Sequence, residues 1–356
     1  MKARRDERLG RYERIAAGHE PPRYLLTKKI ECRFDASDAS EKLWELHNDR
    51  CSGIGTADHA RKNTSLLDLK VELAERVLSD CIFCERRCGA NRAKGEKGAC
   101  GVLESRVSSE FIHMGEEPEI IPSYTIFFSG CTFKCVFCQN WDISTNPDGG
   151  RMIPPEKLAR MIEGRDASLG CESDRLKSIA MPAFLTRANY AKNVNWVGGD
   201  PTSNIPFVLK TLQSCNSRLP QVWNSNMYLT EESMRLLDGV IDLYLTDFKY
   251  GNDGCAKRLS GIDNYFDIVS RNHLLAARQC DVLVRHLVMP NHIDCCTKPV
   301  LEWIAENMPD AVVNVMAQYR PEHRAYEFDD ISRPISPREY AVAVKIAENL
   351  GLNLTS

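Results

Sequence analysis

Residues 124–140 read YTIFFSGCTFKCVFCQN, a β-branched and aromatic run that stops at a glycine and passes into three cysteines. The run YTIFF has the composition of a strand, and Gly130 interrupts it. Cys131, Cys135 and Cys138 follow in C-x3-C-x2-C spacing on the loop where that strand ends. Thiolates are soft ligands that suit iron–sulfur clusters or zinc. A cubane of four irons takes four ligands, so three local cysteines leave one iron with an open position, which chemistry on a cluster requires. The triplet alone leaves two alternatives standing: structural zinc, or an electron-transfer cluster with a borrowed fourth ligand.

Downstream, short β-rich runs alternate with helical patterns. The runs are NVNWV (193–197), QVWN (221–224), DLYLT (242–246), VLVRHLV (282–288) and VVNVM (312–316). Between them lie IPFVLKTLQSC, EESMRLLDGV, NYFDIVSRNHLLAARQC and KPVLEWIAENM, and SPREYAVAVKIAENLG (336–351) closes the series with a Ser cap, a Pro and Gly351. Six strands in a βα repeat predict an α/β fold with parallel strands and right-handed crossovers. The reading is a partial (β/α)6 barrel, since a closed eightfold barrel needs two more units. Ligands just after a strand then lie at the catalytic face. Residues 164–192 fit neither period and read as an insertion in the first crossover.

Upstream, Leu66, Leu69, Leu73 and Val77 recur at helical spacing and predict one amphipathic helix over 64–79. Residues 1–62 are charged and broken by Gly18, Pro21, Pro22, Gly53 and Gly55, and the basic start reads as a solvated surface segment. The expected organisation is an N-terminal extension (1–75), a Cys-rich metal-binding module (76–118) and the barrel (119–356). At 356 residues, net charge −3 and 43% apolar composition, nothing global demands nucleic acid or an anionic membrane. No apolar run approaches the ~20 residues that span a bilayer, and the charged start lacks the apolar stretch of a secretory signal. The expectation is a cytoplasmic chain, whose thiols serve metal or redox chemistry rather than disulfides.

Seven of the fifteen cysteines fall between Cys81 and Cys138. In CIFCERRCGANRAKGEKGACGV, Cys81, Cys84, Cys88 and Cys100 have spacings that indicate a metal site, either zinc or a second [4Fe–4S] cluster. Arg86, Arg87, Arg92, Lys94 and Lys97 read as neutralising its thiolates. Cys32, Cys51, Cys171, Cys215, Cys255, Cys280, Cys295 and Cys296 are scattered and read mostly as small buried hydrophobes.

C-x3-C-x-aromatic-C, with Phe137 before Cys138, resembles the signature of the radical S-adenosylmethionine (SAM) superfamily. The resemblance implies a [4Fe–4S] cluster on Cys131, Cys135 and Cys138, with SAM chelating the unique iron and being cleaved reductively. Four strand ends agree with it. Gly198, Gly199 and Asp200 resemble the Gly-Gly-Glu motif that binds the SAM amino group, with Asp in place of Glu. Asn224, Ser225 and Asn226 are candidates for the ribose or carboxylate, and Asp247 and Lys249 match an Asp-x-Lys pair that contacts SAM in glycyl-radical activating enzymes. On the fifth strand, Leu287 or Val288 is expected to back the adenine, with Arg285 on the face of Leu287, and His286 reads as a satisfied core or surface histidine rather than a catalytic base.

The order CxxCERRCGANR, GEKGACG, HMGEEP and then the triplet is similar to uncharacterised relatives of pyruvate formate-lyase activating enzyme. It implies an activating-enzyme-like oxidoreductase or lyase that abstracts hydrogen from a protein or peptide, with ferredoxin or flavodoxin as electron donor. Modification of RNA or a small metabolite is the second reading, and an Fe–S electron carrier without SAM turnover the third.

Overall fold

Among the described residues, the six runs read as strands all lie in the parallel part of one eight-stranded sheet. The structure is a computed structural model that describes residues 9–51, 64–169 and 190–355. In chain order the strands are β1 (Val107–His113), β2 (Ser123–Phe128), β3 (Asn193–Gly198), β4 (Gln221–Ser225), β5 (Leu243–Asp247), β6 (Asp281–Leu287), β7 (Val312–Met316) and β8 (Asn353–Leu354). Spatial order equals chain order. β2 to β8 pair in parallel, whereas β1 runs antiparallel to β2. β1 and β8 are the two edges, so the barrel stays open. β1 and β8 were not anticipated: VSSEFIH is half polar, and β8 has only two residues.

Strand alternation sorts side chains into two layers. Tyr124, Ile126, Phe128, Trp196, Trp223, Tyr244 and Val284 belong to the large core that packs under the helices. Val222, Leu243, Leu245, Leu283 and Val312 form a separate inner cluster with Ile120, Leu9 and Tyr12. The last two correct the reading of the basic start. Leu9, Tyr12 and Ile15 recur every third residue and are fully buried, because the helix Gly10–Ala16 closes the inner cluster. The Tyr12 amide donates to Asp281 at 2.8 Å and its hydroxyl accepts from Asn193 at 2.8 Å. Each such burial contributes about 1.5–3 kcal/mol, which outweighs the solubility of the charged neighbours.

The expected amphipathic helix is Leu66–Val77, opened by a reciprocal Ser65–Asp68 cap. Its residues, Cys81 and Phe83 of the Cys-rich segment, and the outer faces of the strands share one buried cluster. The expected insertion 164–192 falls largely on residues 170–189, outside the described residues, as does Cys171. No described helix is long and apolar enough to cross a membrane.

Candidate active site

Cys131, Cys135 and Cys138 lie on the loop after β2, pinned from two sides. The amides of Lys134 and Val136 donate to the carbonyls of Ser260 and Leu259 at 3.0 and 2.9 Å. Gly198 and Gly199 face the same loop. A Cβ on Gly199 would sit 2.9 Å from that of Cys131 and overlap the Gly130 carbonyl, and one on Gly198 would overlap the Phe128 backbone. Gly198 also has φ +137°, open to glycine alone. The paired glycines let the end of β3 approach the cysteine loop itself, a structural demand that stands beside any role toward a ligand.

Each thiol meets a polar partner. Ser260 Oγ donates to Cys135 Sγ at 2.9 Å, Ser144 Oγ lies 3.3 Å from Cys138 Sγ, and the Phe133 amide donates to Cys131 Sγ at 3.4 Å. Burial pushes the Cys131 thiol well above its ordinary pKa, with Asp200 adding to the shift, and raises Cys135 to about 11. Such thiols ionise when a metal takes up their charge. Three soft donors with hydrogen bonds to sulfur fit an iron–sulfur cluster.

A polar chain leads away from Cys131. Asp200, almost fully buried, accepts at one oxygen from the Thr202 amide (2.9 Å) and at the other from Ser225 Oγ (3.0 Å), Asn226 N (2.9 Å) and Asn226 Nδ2 (2.9 Å). Asn226 Oδ1 accepts from Lys249 Nζ at 2.6 Å, and Lys249 also donates to Asp247 at 2.6 Å. Burial works against the Lys249 ammonium, but Asp247, with Cys135 acting in the same direction, outweighs it and holds its pKa above the ordinary lysine value. An ammonium has three protons; two are engaged here, leaving one for a ligand. Asn224 shares the inner face with Leu245, its register partner. Met227, next to Asn226, has φ +58°, a strained conformation held by its amide bond to Ser225 Oγ (3.1 Å) and by Asn272 Nδ2 on its carbonyl (2.7 Å).

Register sets Asp247, Arg285 and Asn314 side by side. Arg285 is gripped by Glu117 at 2.7 and 2.5 Å and by Glu116. Asn314 Nδ2 donates to Glu117 at 2.8 Å, and Asn195 Nδ2 to Glu116 at 3.2 Å. Burial opposes ionisation of Glu117, yet Arg285 and Asn314 hold it below the ordinary glutamate value. These carboxylates and Arg285 help wall a cavity of about 520 Å³. Glu116 and Glu117 were not among the candidates; the signal lay in the HMGEEP stretch.

Leu287 alternates in step with Arg285 along β6 and is partly buried, whereas Val288 is fully buried; both pack with the large core. Phe137 packs against Tyr319 and Tyr250, with ring centroids 5.8 and 6.5 Å apart. His286 is a satisfied core histidine, 2.8 Å from the Phe248 carbonyl and 2.9 Å from Thr297 Oγ1, and burial lowers its pKa to about 4.

Of the quartet Cys81, Cys84, Cys88 and Cys100, the first three lie within a turn closed by amide–carbonyl bonds from Cys81 to Ala90 and from Gly89 to Cys81, of 3.1 and 3.2 Å. A Cβ on Gly98 would overlap Cys88 Sγ. Burial raises Cys84 to about 12, and Cys100, Cys81 and Cys88 push it in the same direction. The turn docks on the segment after β4: Cys84 bridges Leu229, and the Glu85 and Thr230 amides donate to Tyr228 and Phe83 carbonyls at 3.1 and 3.2 Å. Of the adjacent cations, Arg92 favours the Cys81 thiolate as expected, and four also have other partners. Arg86 donates to the carbonyls of Thr132 (2.6 Å) and Gly261 (2.9 Å), Arg92 to those of Ser203 and Leu103, Arg87 pairs with Glu85, and Lys97 with Asp148. They satisfy carbonyls and carboxylates around the turn, because a buried acceptor left unpaired costs about 1–3 kcal/mol.

A family model described as a 4Fe-4S single cluster domain matches residues 123–250. The uncharacterized protein MJ0674 of Methanocaldococcus jannaschii is 44% identical over 98% of this chain and 99% of its own length. Among solved structures, SuiB of Streptococcus suis bound to precursor peptide SuiA aligns at TM-score 0.43 and 14% identity. That alignment covers 63% of this chain and 46%, less than half, of SuiB. Methylornithine synthase (PylB) aligns at TM-score 0.43 and 13% identity over 96% of this chain and 84% of that one. A domain of pyruvate-formate lyase-activating enzyme from Bacteroides vulgatus aligns at TM-score 0.37 and 16% identity, covering 46% and 97%.

Proposed function

We propose that this chain, which belongs to one family with the Methanocaldococcus jannaschii protein, is a radical SAM enzyme that abstracts hydrogen from a protein or peptide, with the cluster on Cys131, Cys135 and Cys138. When bound, the reduced [4Fe–4S] cluster supplies the electron that cleaves the sulfonium C–S bond of SAM. The observation that carries the assignment of residues is the unbroken polar chain from Cys131 through Asn226 and Lys249 to Asp247.

In this reading the remaining Lys249 proton meets the SAM carboxylate. Asp247 and Asn224 face the same ligand from the ends of β5 and β4. Asp200 and Ser225 act as positioning residues, since their polar atoms are occupied by one another and by Asn226 and Met227. The strand-end glycines close the loop against β3, and Phe137, Tyr250 and Tyr319 exclude water behind it. Ferredoxin or flavodoxin would reduce the cluster in the cytoplasm. The resemblance of its motif order to uncharacterised relatives of pyruvate formate-lyase activating enzyme supports a protein or peptide substrate.

The test is anaerobic reconstitution, with iron and sulfide counted per chain and 5′-deoxyadenosine measured after SAM and dithionite are added. Zinc in the triplet, or a cluster indifferent to SAM, would end the assignment. Feeding deuterated host protein and deuterated small molecules separately then tests the substrate. Deuterium entering 5′-deoxyadenosine from the protein fraction is expected; entry from the small-molecule fraction alone moves the reading to a metabolite.

A further inference from the structure

Cys255, His292 and Cys295 belong to neither cysteine group, yet one ligand atom from each lies within 4.8 Å of the other two. The sulfurs of Cys255 and Cys295 are 4.0 Å apart and both thiols are free. Two thiolates on one tetrahedral zinc, with Zn–S near 2.3 Å, sit about 3.8 Å apart. The site is therefore spaced for a single ion.

The surrounding groups orient all three ligands. His292 is buried, and its Nδ1 lies 2.8 Å from the Pro290 carbonyl. That carbonyl can only accept, so Nδ1 carries the proton and Nε2 is the nitrogen left to ligate, its lone pair accepting from Arg258 Nη2 at 3.3 Å until an ion displaces that donor. Asn252 joins the cysteines. Its Oδ1 accepts from the Cys255 amide at 2.8 Å, and its Nδ2 donates to Cys255 Sγ at 3.4 Å and to the Cys295 carbonyl at 2.8 Å.

The backbone is also shaped for this meeting. Cys255 is in the first turn of the helix Asp253–Ser260, after β5, and Cys295 is in the π-helical turn Ile293–Thr297, after β6. π-Helical turns are rare and frequent at functional sites. This one turns Cys295 to the surface and buries Cys296. Beside the histidine, Arg258 Nη2 is 3.3 Å from Nε2 and pairs with Asp330, whose carboxylate is 3.6 Å from the same nitrogen.

We propose that Cys255, His292 and Cys295 form a mononuclear zinc site whose fourth position faces solvent beside Asp330. Two thiolates balance the charge of the divalent ion, leaving the Arg258–Asp330 pair neutral. Zinc, with thiolate and imidazole as favoured ligands, is the ion this donor set suits. The ion would lock the segment after β5, which carries Lys249, to the segment after β6. The inference is independent of the SAM assignment.

The experiment uses the full-length chain, reconstituted anaerobically so that iron fills the cluster sites before Zn2+ is added. Alkylation with iodoacetamide is then read at each cysteine by peptide mapping. Zinc is expected to slow labelling of Cys255 and Cys295 together, at least tenfold, and one zinc per chain should disappear in the double variant Cys255→Ser/Cys295→Ser with iron content unchanged. Labelling of the wild-type pair that zinc leaves untouched, or a Cys255–Cys295 disulfide in the anaerobic protein, would overturn the proposal. The labelling readout needs no variant, so a misfolded double mutant does not blunt the test.

Discussion

The cysteine triplet and the cysteine quartet are both compact and thiol-rich, but their surroundings differ. Around the triplet, side chains converge: Ser260, Ser144 and Asn226 approach the sulfurs, and Asp200, Lys249 and Asp247 extend the polar array. Around the quartet, the contacts are chiefly backbone amides and carbonyls that fasten the turn to the segment after β4. A reacting ligand needs side chains that can be aimed at it, whereas a clamp needs only a fixed turn. The contrast fits the proposal of chemistry at the first group and anchoring at the second, and Arg86 ties them together through the Thr132 carbonyl.

The largest expected effect follows from that contrast. Cys135→Ala or Cys138→Ala should lower 5′-deoxyadenosine formation below detection in anaerobically reconstituted protein while the far-ultraviolet dichroism is unchanged. Lys249→Met comes next. Removing one member of a buried hydrogen-bonded charge pair costs about 2–5 kcal/mol, so SAM affinity should fall about thirtyfold or more at unchanged iron content. Unaltered SAM binding by equilibrium dialysis would place Lys249 outside the cofactor site.

A third measurement concerns pH. His286 has a folded pKa of about 4 against 6.5 unfolded, so as pH falls from 6.5 the unfolded chain takes the proton first. Stability is therefore lost between pH 6.5 and 4, by up to about 3 kcal/mol for this group. His286→Gln should flatten the slope of unfolding free energy by at most one proton in that window, measured by urea titration. His273, lowered by burial to about 4, keeps part of the slope. The smallest effect is expected at the quartet. Cys84→Ala should lower the melting temperature by a few degrees and leave SAM cleavage per cluster within about twofold. Loss of cleavage in a normally folded Cys84 variant would erase the distinction between the two groups.

The residues legible without coordinates share one property: their meaning lies in local spacing. The six strands of YTIFF-type composition, the helix 64–79, and both cysteine groups each declare themselves within about twenty residues, because strand period, helix period and ligand spacing are properties of adjacent chain. The closing role of Leu9 and Tyr12 was masked by the charges around them, although their spacing was there to read. The occupation of the Asp200 carboxylate depends on bonds to Ser225 and Asn226, 25 and 26 residues away, which no local pattern encodes.

What the chain alone specified is thus a repeating α/β pattern and two thiol clusters, since these follow from composition and short-range geometry. Folding had to bring together the rest: Glu116 and Glu117 with Arg285 across some 168 residues, and Cys255 with Cys295 across 40. Strand order and the open edge of the sheet govern those meetings. A charged residue reveals its partner only when the loops after different strands are gathered at one end of the barrel, where an unpaired buried charge costs several kcal/mol.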